Sequence, residues 1–157
     1  MASTSFESLI KMFATMPEII SKEIEKEIKK SAIKVRDDAV NKFGEYQPAV
    51  GPYPAWEELK EDTIKQKEKA GGGEDPLIGH SNGNGSKVWP QPLRNTIGIK
   101  TEGLTAAVGT DDPIGKYHEY GTEHIPPRPF LRPALYENQD NIKNNVKEGI
   151  QNGIKSL

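Results

Sequence analysis

The sequence predicts an α+β fold in which a long N-terminal helix and a C-terminal helix pack on a small antiparallel β-sheet. Residues 17–43 carry apolar side chains at spacings of three and four, as one face of a helix does. Residues 95–101 and 104–109 alternate apolar and polar side chains around a two-residue link that contains glycine, which indicates a β-hairpin over residues 95–110. A long loop rich in glycine and proline precedes the hairpin.

The composition restricts the class of protein. The 157 residues suffice for one domain with its own core, so we expect a single domain over residues 1–157. A hydrophobic content of 34% and a mean hydropathy of −0.71 predict long polar loops or exposed helices. The formal charge of −2 gives no general attraction to nucleic acid or anionic membrane, and neither a membrane span nor a secretory signal is visible. The lack of cysteine excludes disulfides and thiolate chemistry and fits a reducing cytoplasm.

The first 44 residues are predicted to be helical. A short amphipathic helix over residues 3–16 is indicated by apolar residues at helical spacing, namely Phe6, Leu9, Ile10 and Phe13. Pro17 should interrupt it, because proline suits the first position of a new helix. The second helix should end before Gly44, a suitable C-terminal stop. Its charges alternate in sign, which is typical of a solvated face, and its stripe is too short to establish a coiled coil.

The middle of the chain is predicted to be mostly irregular. Glu45 to Pro54 contains three prolines and a glycine and should be extended. Trp56 to Lys69 has the composition of a short, highly charged helix with few apolar residues for docking. Ala70 to Pro92 is predicted to be a long flexible loop. Its glycines are not followed by the lysine–serine pair of a phosphate-binding loop, which argues against a nucleotide site.

The segment from Tyr117 to Leu135, called the joint segment below, is the most densely specified part of the sequence. Residues 114–120 indicate one helical turn that ends at Gly121. The prolines that follow fix an extended backbone and remove amide donors, so the segment is expected to be an edge strand or a polyproline-like arm. Two interpretations are open. The segment is an ordered loop docked on its own domain, with Phe130 and Leu131 as plugs, or a joint that also faces a partner.

A last helix is predicted over residues 133–155, opened by Pro133. Its single apolar stripe comprises Leu135, Ile142, Val146, Ile150 and Ile154. Asparagines and two glycines lower its intrinsic helix propensity, so it needs a packing partner. The long N-terminal helix is the expected partner.

The stretch HEYGTEH, residues 118–124, suggests a metal site. The metalloprotease motif requires two histidines four residues apart on one helical face, whereas His118 and His124 are six apart with a glycine between them. No serine lies in a glycine elbow either. We therefore expect no catalytic residue, no cofactor and no metal. A metal-dependent hydrolase that uses this stretch is kept as an alternative.

The joint segment carries a resemblance to a family of bacteriophage tail components. The family's mark is an aromatic-x-Glu-aromatic-Gly-Thr turn followed by a proline-arginine-proline-phenylalanine segment and a helix. The matching residues are Tyr117, Glu119, Tyr120, Gly121 and Thr122, then Pro127, Arg128, Pro129, Phe130, Leu131, Arg132, Pro133 and Ala134. A weaker pattern is matched by Trp56, Leu59, Thr63 and Lys67. The sequence thus resembles the tail-completion, neck or head–tail joining proteins of long-tailed phages, although the threonine-glycine-x-leucine turn usual before the hairpin is missing.

The resemblance implies a structural protein and not an enzyme. It implies a ring, hexameric in better-known relatives, at the neck of the virion, made in the bacterial host cytoplasm. The implied partners are further copies of the chain, a head connector or stopper protein, a tail terminator and tail tube proteins. DNA would cross the lumen without specific binding, and no membrane is involved. A tail terminator or another minor tail protein is the alternative within this class.

The expected interface lies in the joint segment. Its residues are Tyr117, Glu119, Tyr120, Gly121, Thr122, Arg128, Pro129, Phe130 and Arg132. A ring needs contacts between unlike surfaces, and a stiff proline arm with an aromatic tip would form one at low entropic cost. Phe130 is the expected anchor. The proline spacing also fits a ligand of a small peptide-binding module, an alternative that its position between predicted elements disfavours.

Overall fold

The computed structural model describes residues 6–78 and 92–157, with the backbone alone at residues 6, 8, 9 and 13. Within these ranges the elements are α1 (Phe6–Asn41), α2 (Glu61–Lys69), a 3₁₀ turn (Leu93–Thr96), β1 (Gly98–Glu102), β2 (Thr105–Gly109), α3 (Pro113–Tyr120), α4 (Leu131–Glu137) and α5 (Gln139–Lys155). The chain is therefore an α+β protein, as predicted. None of the helices in these ranges has the length and apolar character needed to cross a membrane. Residues 79–91, most of the predicted flexible loop, lie outside the described residues.

The helix α1 is continuous, so the predicted interruption at Pro17 is wrong. Pro17 lies inside the helix at an exposed position. A proline in a helix interior removes one amide donor and crowds the preceding turn, at a cost of roughly 3 kcal/mol. At the surface, water can replace the missing donor. The helix ends at Asn41, and Gly44 follows with a φ of +96° and donates its N–H to Pro76 O at 3.0 Å, which confirms the predicted stop.

The helix α5 packs antiparallel along α1 through its glycines. A Cβ on Gly149 would lie 3.0 Å from the Cα of Ile24, and one on Gly153 would lie 2.8 Å from the Cα of Ile20. These distances are shorter than normal carbon–carbon contacts, so the two backbones approach as closely as they do only because no side chain stands between them. The residues that lower the helix propensity of α5 are thus the residues that form its contact with α1.

The predicted apolar stripe of the last helix is not its buried face. Ile150 and Ile154 are 39% and 51% exposed, and Asn145 is buried beside the two glycines instead. Asn145 Nδ2 donates to Ser31 Oγ at 3.0 Å, so this buried amide is paired across the helix contact. The prediction that α1 is the partner is confirmed. Of the predicted stripe, Ile142 packs against the core, whereas Ile150 and Ile154 are exposed.

The predicted helix over residues 133–155 is divided into α4 and α5 at Asn138. Asn138 Nδ2 donates to Ala134 O at 2.8 Å and to Asp38 Oδ2 at 2.7 Å, which ties the bend to α1. The side chain therefore occupies a carbonyl that a continuous helix would pair with a backbone amide. Pro133 is the third residue of α4 and not its first, a position where a missing amide still costs no helix bond.

The hairpin is confirmed with a shifted turn. The pairing runs from Gly98 opposite Gly109 to Glu102 opposite Thr105, so the turn residues are Gly103 and Leu104, one residue later than predicted. Gly103 has a φ of +53°, as a tight hairpin turn requires. The sheet has two strands in the described part of the chain.

The core lies where α1, the 3₁₀ turn, the hairpin and the start of α4 meet. Its members are Val35, Ala39, Phe43, Trp56, Leu93, Ile97, Phe130 and Ala134. Trp56 belongs to an extended stretch, because α2 begins at Glu61 and not at Trp56 as predicted. No residue of α2 is buried, so this charged helix docks even less than its composition suggested.

Candidate functional site

The helix α3 brings Glu119 into the interior. Its start is capped by Asp112, whose Oδ1 accepts the N–H of Ile114 at 3.0 Å. Its end is set by Gly121, which has a φ of +74°, as predicted for the end of this turn. A Cβ on Gly121 would also lie 2.9 Å from the backbone nitrogen of Pro127, so the returning chain leaves no space for a side chain. This glycine is therefore required twice, for its backbone angle and for the close approach.

The carboxylate of Glu119 caps the beginning of α4. Its Oε2 accepts the N–H groups of Phe130 and Leu131 at 2.8 and 3.0 Å, and its Oε1 accepts the N–H of Arg132 at 2.9 Å. The residue is 3% exposed. Amides in the first turn of a helix have no partner within that helix, and a negative charge there is favourable. Glu119 thus supplies, from α3, the cap that Phe130 at the capping position of α4 cannot provide.

Arg132 neutralises this buried carboxylate. Its Nε donates to Glu119 Oε1 at 3.0 Å, and its second guanidinium nitrogen donates to the backbone oxygen of Glu119 at 2.7 Å. The guanidinium also lies 4.2 Å from the ring centre of Tyr120 and 5.0 Å from that of Tyr53. A buried charge is tolerated when its partners satisfy it fully, as they do here.

Arg128 attaches the joint segment to the extended stretch before α2. It is buried, and its guanidinium donates to the carbonyl oxygens of Glu57 at 3.0 and 2.8 Å and of Glu58 at 3.3 Å. Its backbone N–H donates to His118 O at 2.7 Å. Burial lowers the pKa of Arg128 from its usual value. Because its partners are backbone carbonyls, Arg128 acts as a positively charged connector within the chain.

Phe130 is the centre of the core. It is 0% exposed and meets Phe43 edge to face, with ring centres 5.0 Å apart. The preceding carbonyl, of Pro129, accepts the indole N–H of Trp56 at 2.9 Å. The interpretation of the joint segment as a loop docked on its own domain, with Phe130 as a plug, therefore describes this structure. Residues 121–130 form no edge strand, so that part of the prediction is wrong, and whether their backbone is polyproline-like stays a prediction.

The predicted interface residues fall into two groups. Tyr117, Tyr120 and Thr122 are exposed, and Gly121 and Arg132 are partly exposed, so they are accessible to a partner. The buried residues are Glu119, Arg128, Pro129 and Phe130. Their side chains are enclosed by their own chain, and Phe130 has no surface to offer as an anchor in this conformation. The interface role of the exposed group stays a prediction.

The HEYGTEH stretch is not gathered into one cluster. Both oxygens of Glu119 are engaged with α4, while Glu123 and His124 are exposed. Burial, and secondly the nearby Arg128, lower the pKa of His118 to about 4, and its buried Nδ1 has no hydrogen-bond partner. Across residues 6–78 and 92–157 no three His, Asp or Glu side chains come together as ligands for a metal ion. The third histidine, His80, lies outside the described residues.

An apolar groove lies beside the joint segment, between α1, β2, α4 and α5. Its volume is about 650 Å³. Its apolar lining comprises Ile28, Ala32, Val35, Leu104, Ala106, Val108, Leu131, Leu135, Ile142 and Val146. Lys116 and Arg132 are the basic residues that line it. A groove of this size and character is where a ligand or a partner would be expected to bind.

Sequence reasoning did not predict this groove, although it placed many of its residues. The alternation of Leu104, Ala106 and Val108 was assigned correctly to one face, and all three line the groove. The signal that could have revealed it is the set of small or polar residues at spacings of four in the last helix, Asn145, Gly149 and Gly153. Such a set is typical of a close helix contact, and it leaves the neighbouring isoleucines outside that contact.

The comparisons with known proteins give little further information. The chain is 29% identical over 132 residues to an uncharacterized protein of the archaeon Methanocaldococcus jannaschii, a match that covers 83% of this chain and 90% of the relative. No protein-family profile matches the chain, and no solved structure does. The match thus covers most of both chains.

Proposed function

We propose that this chain is a structural, non-enzymatic subunit of the head–tail interface of a long-tailed bacteriophage. In this proposal it is a tail-completion or neck ring subunit in the virion. It forms a ring of its own copies, hexameric by the resemblance, and joins the tail tube and tail terminator to the head connector or stopper. DNA crosses the lumen without specific binding.

The observation that carries the proposal is the packing of the joint segment. The resemblance rests on an unusual set of residues, and the glutamate, glycine, arginines and phenylalanine of that set each have a defined task in this fold. Glu119 caps α4, Gly121 permits the close return, and Phe130 fills the core. Because these tasks depend on one another, the motif is more specific than its individual residue types. This supports treating these residues as one motif, and the resemblance rests on that motif.

The outer surface supports a role in assembly. Large apolar side chains are exposed on three helices near the groove, among them Tyr120, Leu135 and Ile150. Single exposed apolar residues are ordinary, whereas an apolar groove continued by an exposed apolar helix face indicates an interaction surface.

The experiment is disruption of the gene in the virus that encodes this chain, followed by electron microscopy of the lysate. We expect filled heads beside separate tails of normal length, and intact virions when the wild-type chain is supplied from a plasmid. A plasmid carrying a stop codon early in the same gene is the control for complementation.

Three other results would change the proposal. Tails of uncontrolled length would assign the chain to tail termination, the alternative within the same class. Normal, infectious virions would contradict the structural role. Stoichiometric zinc in the purified protein, lost in both His118→Ala and His124→Ala, would favour the hydrolase alternative.

A further inference from the structure

The first turns of α1 project beyond the helix that covers the rest of it. Gly153 of α5 lies against Ile20, and α5 ends two residues later, at Lys155. Because the helices are antiparallel, residues 6–16 of α1, here called the N-terminal arm, continue past the end of α5. At 1.5 Å per residue the arm is about 16 Å long.

One apolar side chain that the structure describes in the N-terminal arm is largely exposed. Ile10 is 54% exposed, although the sequence repeats apolar residues at helical spacing around it. The arm belongs to the longer helix α1, but most helical stability in proteins comes from packing an amphipathic face. In the described part of the chain, Ile10 lacks the packing partner that this sequence pattern calls for.

The groove continues into an exposed apolar face on α5. Ile142 and Val146 line the groove, and Ile150 and Ile154 follow at the same spacing of four on the exposed side. These four positions and the groove together are called the apolar track. From Ile142 to Ile154 the track is about 18 Å long, close to the length of the arm.

The arm of one chain cannot occupy the track of the same chain. The arm ends at Met16, and the groove begins at Ile28 of the same continuous helix. The far end of the track, at Ile154, lies closer, because the neighbouring Gly153 contacts Ile20. However, α1 is continuous from residue 16 to residue 28, so the arm extends away from α5 and cannot fold back onto it. Only the arm of another molecule can reach the track.

The charges around the two surfaces are compatible with this contact. Lys143 and Lys147 lie next to the track on α5, and Lys116 lines the groove; all three are exposed. The first turn of the arm carries the exposed Glu7, and the exposed Lys11 follows one turn later, so the complementary charge is confined to the tip of the arm. Opposite charges at the edge of an apolar contact mainly set its orientation and rate of formation.

We propose that the N-terminal arm of one copy docks in the apolar track of a second copy. The contact joins unlike surfaces, so repetition gives a closed ring or an open chain and not a simple symmetric dimer. This inference adds detail to the proposed ring assembly, and it rests on the proposed function for the reason why copies of the chain would associate. It predicts which surfaces of the subunit meet, which the resemblance alone did not.

The experiment is a complementation of two variants, measured by size-exclusion chromatography with light scattering at about 100 µM, above the Kd of an ordinary interface. Ile10→Asp damages the arm and leaves the track intact. The double variant Ile150→Asn/Ile154→Asn damages the track and leaves the arm intact. We expect the wild-type chain to form species larger than a dimer and each variant to be a monomer of 17.4 kDa. An equimolar mixture of the two variants should form a one-to-one dimer, because one intact arm and one intact track remain.

Thr15→Asp is the matched control, because it adds the same charge to the arm about 140° around the helix from Ile10. It should assemble as the wild-type chain does. All substituted positions are exposed, and circular dichroism should show the same helix content in every variant.

A monomeric wild-type chain would overturn the inference, and so would variants that still assemble or a mixture that stays monomeric. The gene-disruption experiment compares virus with and without the chain, and its outcome does not depend on which surfaces of the copies meet. The docking contact can therefore fail while the proposed function stands.

Discussion

The joint segment and the α1–α5 pair differ in which side chains they bury and which they leave at the surface. In the joint segment a buried carboxylate and a buried guanidinium are satisfied by the chain's own backbone, and the aromatic side chain of Phe130 is fully enclosed. Along α5, by contrast, glycine and asparagine form the contact, and isoleucines are left at the surface.

This difference separates the residues that hold the fold from the residues that remain available to a partner. A polar network that is complete within one chain has little to gain from a second chain. An apolar face that is left exposed does have something to gain, at about 25 cal/mol for each Å² removed from water. The most specified segment of the sequence is thus explained within the chain, and the less conspicuous helix is the better candidate for assembly.

The largest expected loss of stability is in the joint segment, where Phe130 fills the core. Phe130→Ala should lower the free energy of unfolding by about 3–5 kcal/mol, because it empties the centre of the core and removes the ring contact with Phe43. Urea denaturation monitored by circular dichroism measures it. Tyr117→Ala, at an exposed residue of the same motif, should cost less than about 1 kcal/mol. Equal losses in the two variants would contradict the division between buried and exposed motif residues.

The second prediction concerns the cap. Glu119→Gln should cost about 2–3 kcal/mol, since it removes the charge and converts one acceptor of the carboxylate into a donor that faces backbone N–H groups. Glu123→Gln, at an exposed glutamate four residues later, is the matched control and should change stability by less than about 0.5 kcal/mol. If both variants unfold at the wild-type urea concentration, Glu119 is not the cap that orders α4.

The third prediction is a dependence of stability on pH. The pKa of His118 is lowered from 6.5 to about 4, chiefly by burial and then by Arg128. The unfolded chain therefore binds the proton more tightly than the folded chain, so this contribution is complete above pH 6.5 and is lost as the pH falls toward 4.

Between pH 7 and pH 4.5 we expect His118 to account for a loss of about 2 kcal/mol, measured by urea denaturation at both values. His118→Asn should reduce the loss, while His124→Asn, at the exposed histidine, should leave it unchanged. An unaltered pH dependence in His118→Asn would show that this histidine is not the buried titrating group.

The smallest effect tests the helix contact. Gly149→Ala should lower the free energy of unfolding by about 1–2 kcal/mol although alanine favours helix, because its Cβ would lie 3.0–3.2 Å from backbone atoms of Ile24 and Glu23. Asn144→Ala, at an exposed position of α5, should be neutral or stabilising. Thermal unfolding of both variants measures the change in stability. A Gly149→Ala variant more stable than the wild-type chain would mean that α1 and α5 can move apart without cost.

The sequence predicted the elements that depend on local pattern. The α+β class, the long N-terminal helix, the hairpin and the stop at Gly44 follow from periodicity and from glycine, which act over a few residues. The break at Asn138 could not be predicted in this way, because it depends on a hydrogen bond to Asp38, one hundred residues away. The continuity of α1 through Pro17 depends likewise on the surroundings of one exposed turn.

The site was predicted only in part, because it too depends on contacts between residues far apart in the sequence. The residues of the joint segment were identified, but whether Phe130 faces a partner or the core is decided by Trp56 and Phe43, which lie far away in the sequence. The groove was missed because hydrophobicity alone suggested that the isoleucines of the last helix must be buried. Their exposure follows from the preference of the two backbones for contact through Gly149 and Gly153.

In the proposed assembly, the joint segment stabilises the single chain, whereas α5 contacts a second copy. Hydrogen exchange is the measurement that tests this difference most directly. Exchange would be compared between the assembled wild-type chain and the Ile10→Asp variant. The amides of Phe130, Leu131 and Arg132, which donate to Glu119, should be equally protected in both samples. The amides of residues 142–154 should exchange more slowly in the assembled chain. Protection that rises on assembly in the joint segment, with no change along α5, would contradict this account and return the interface to the joint segment.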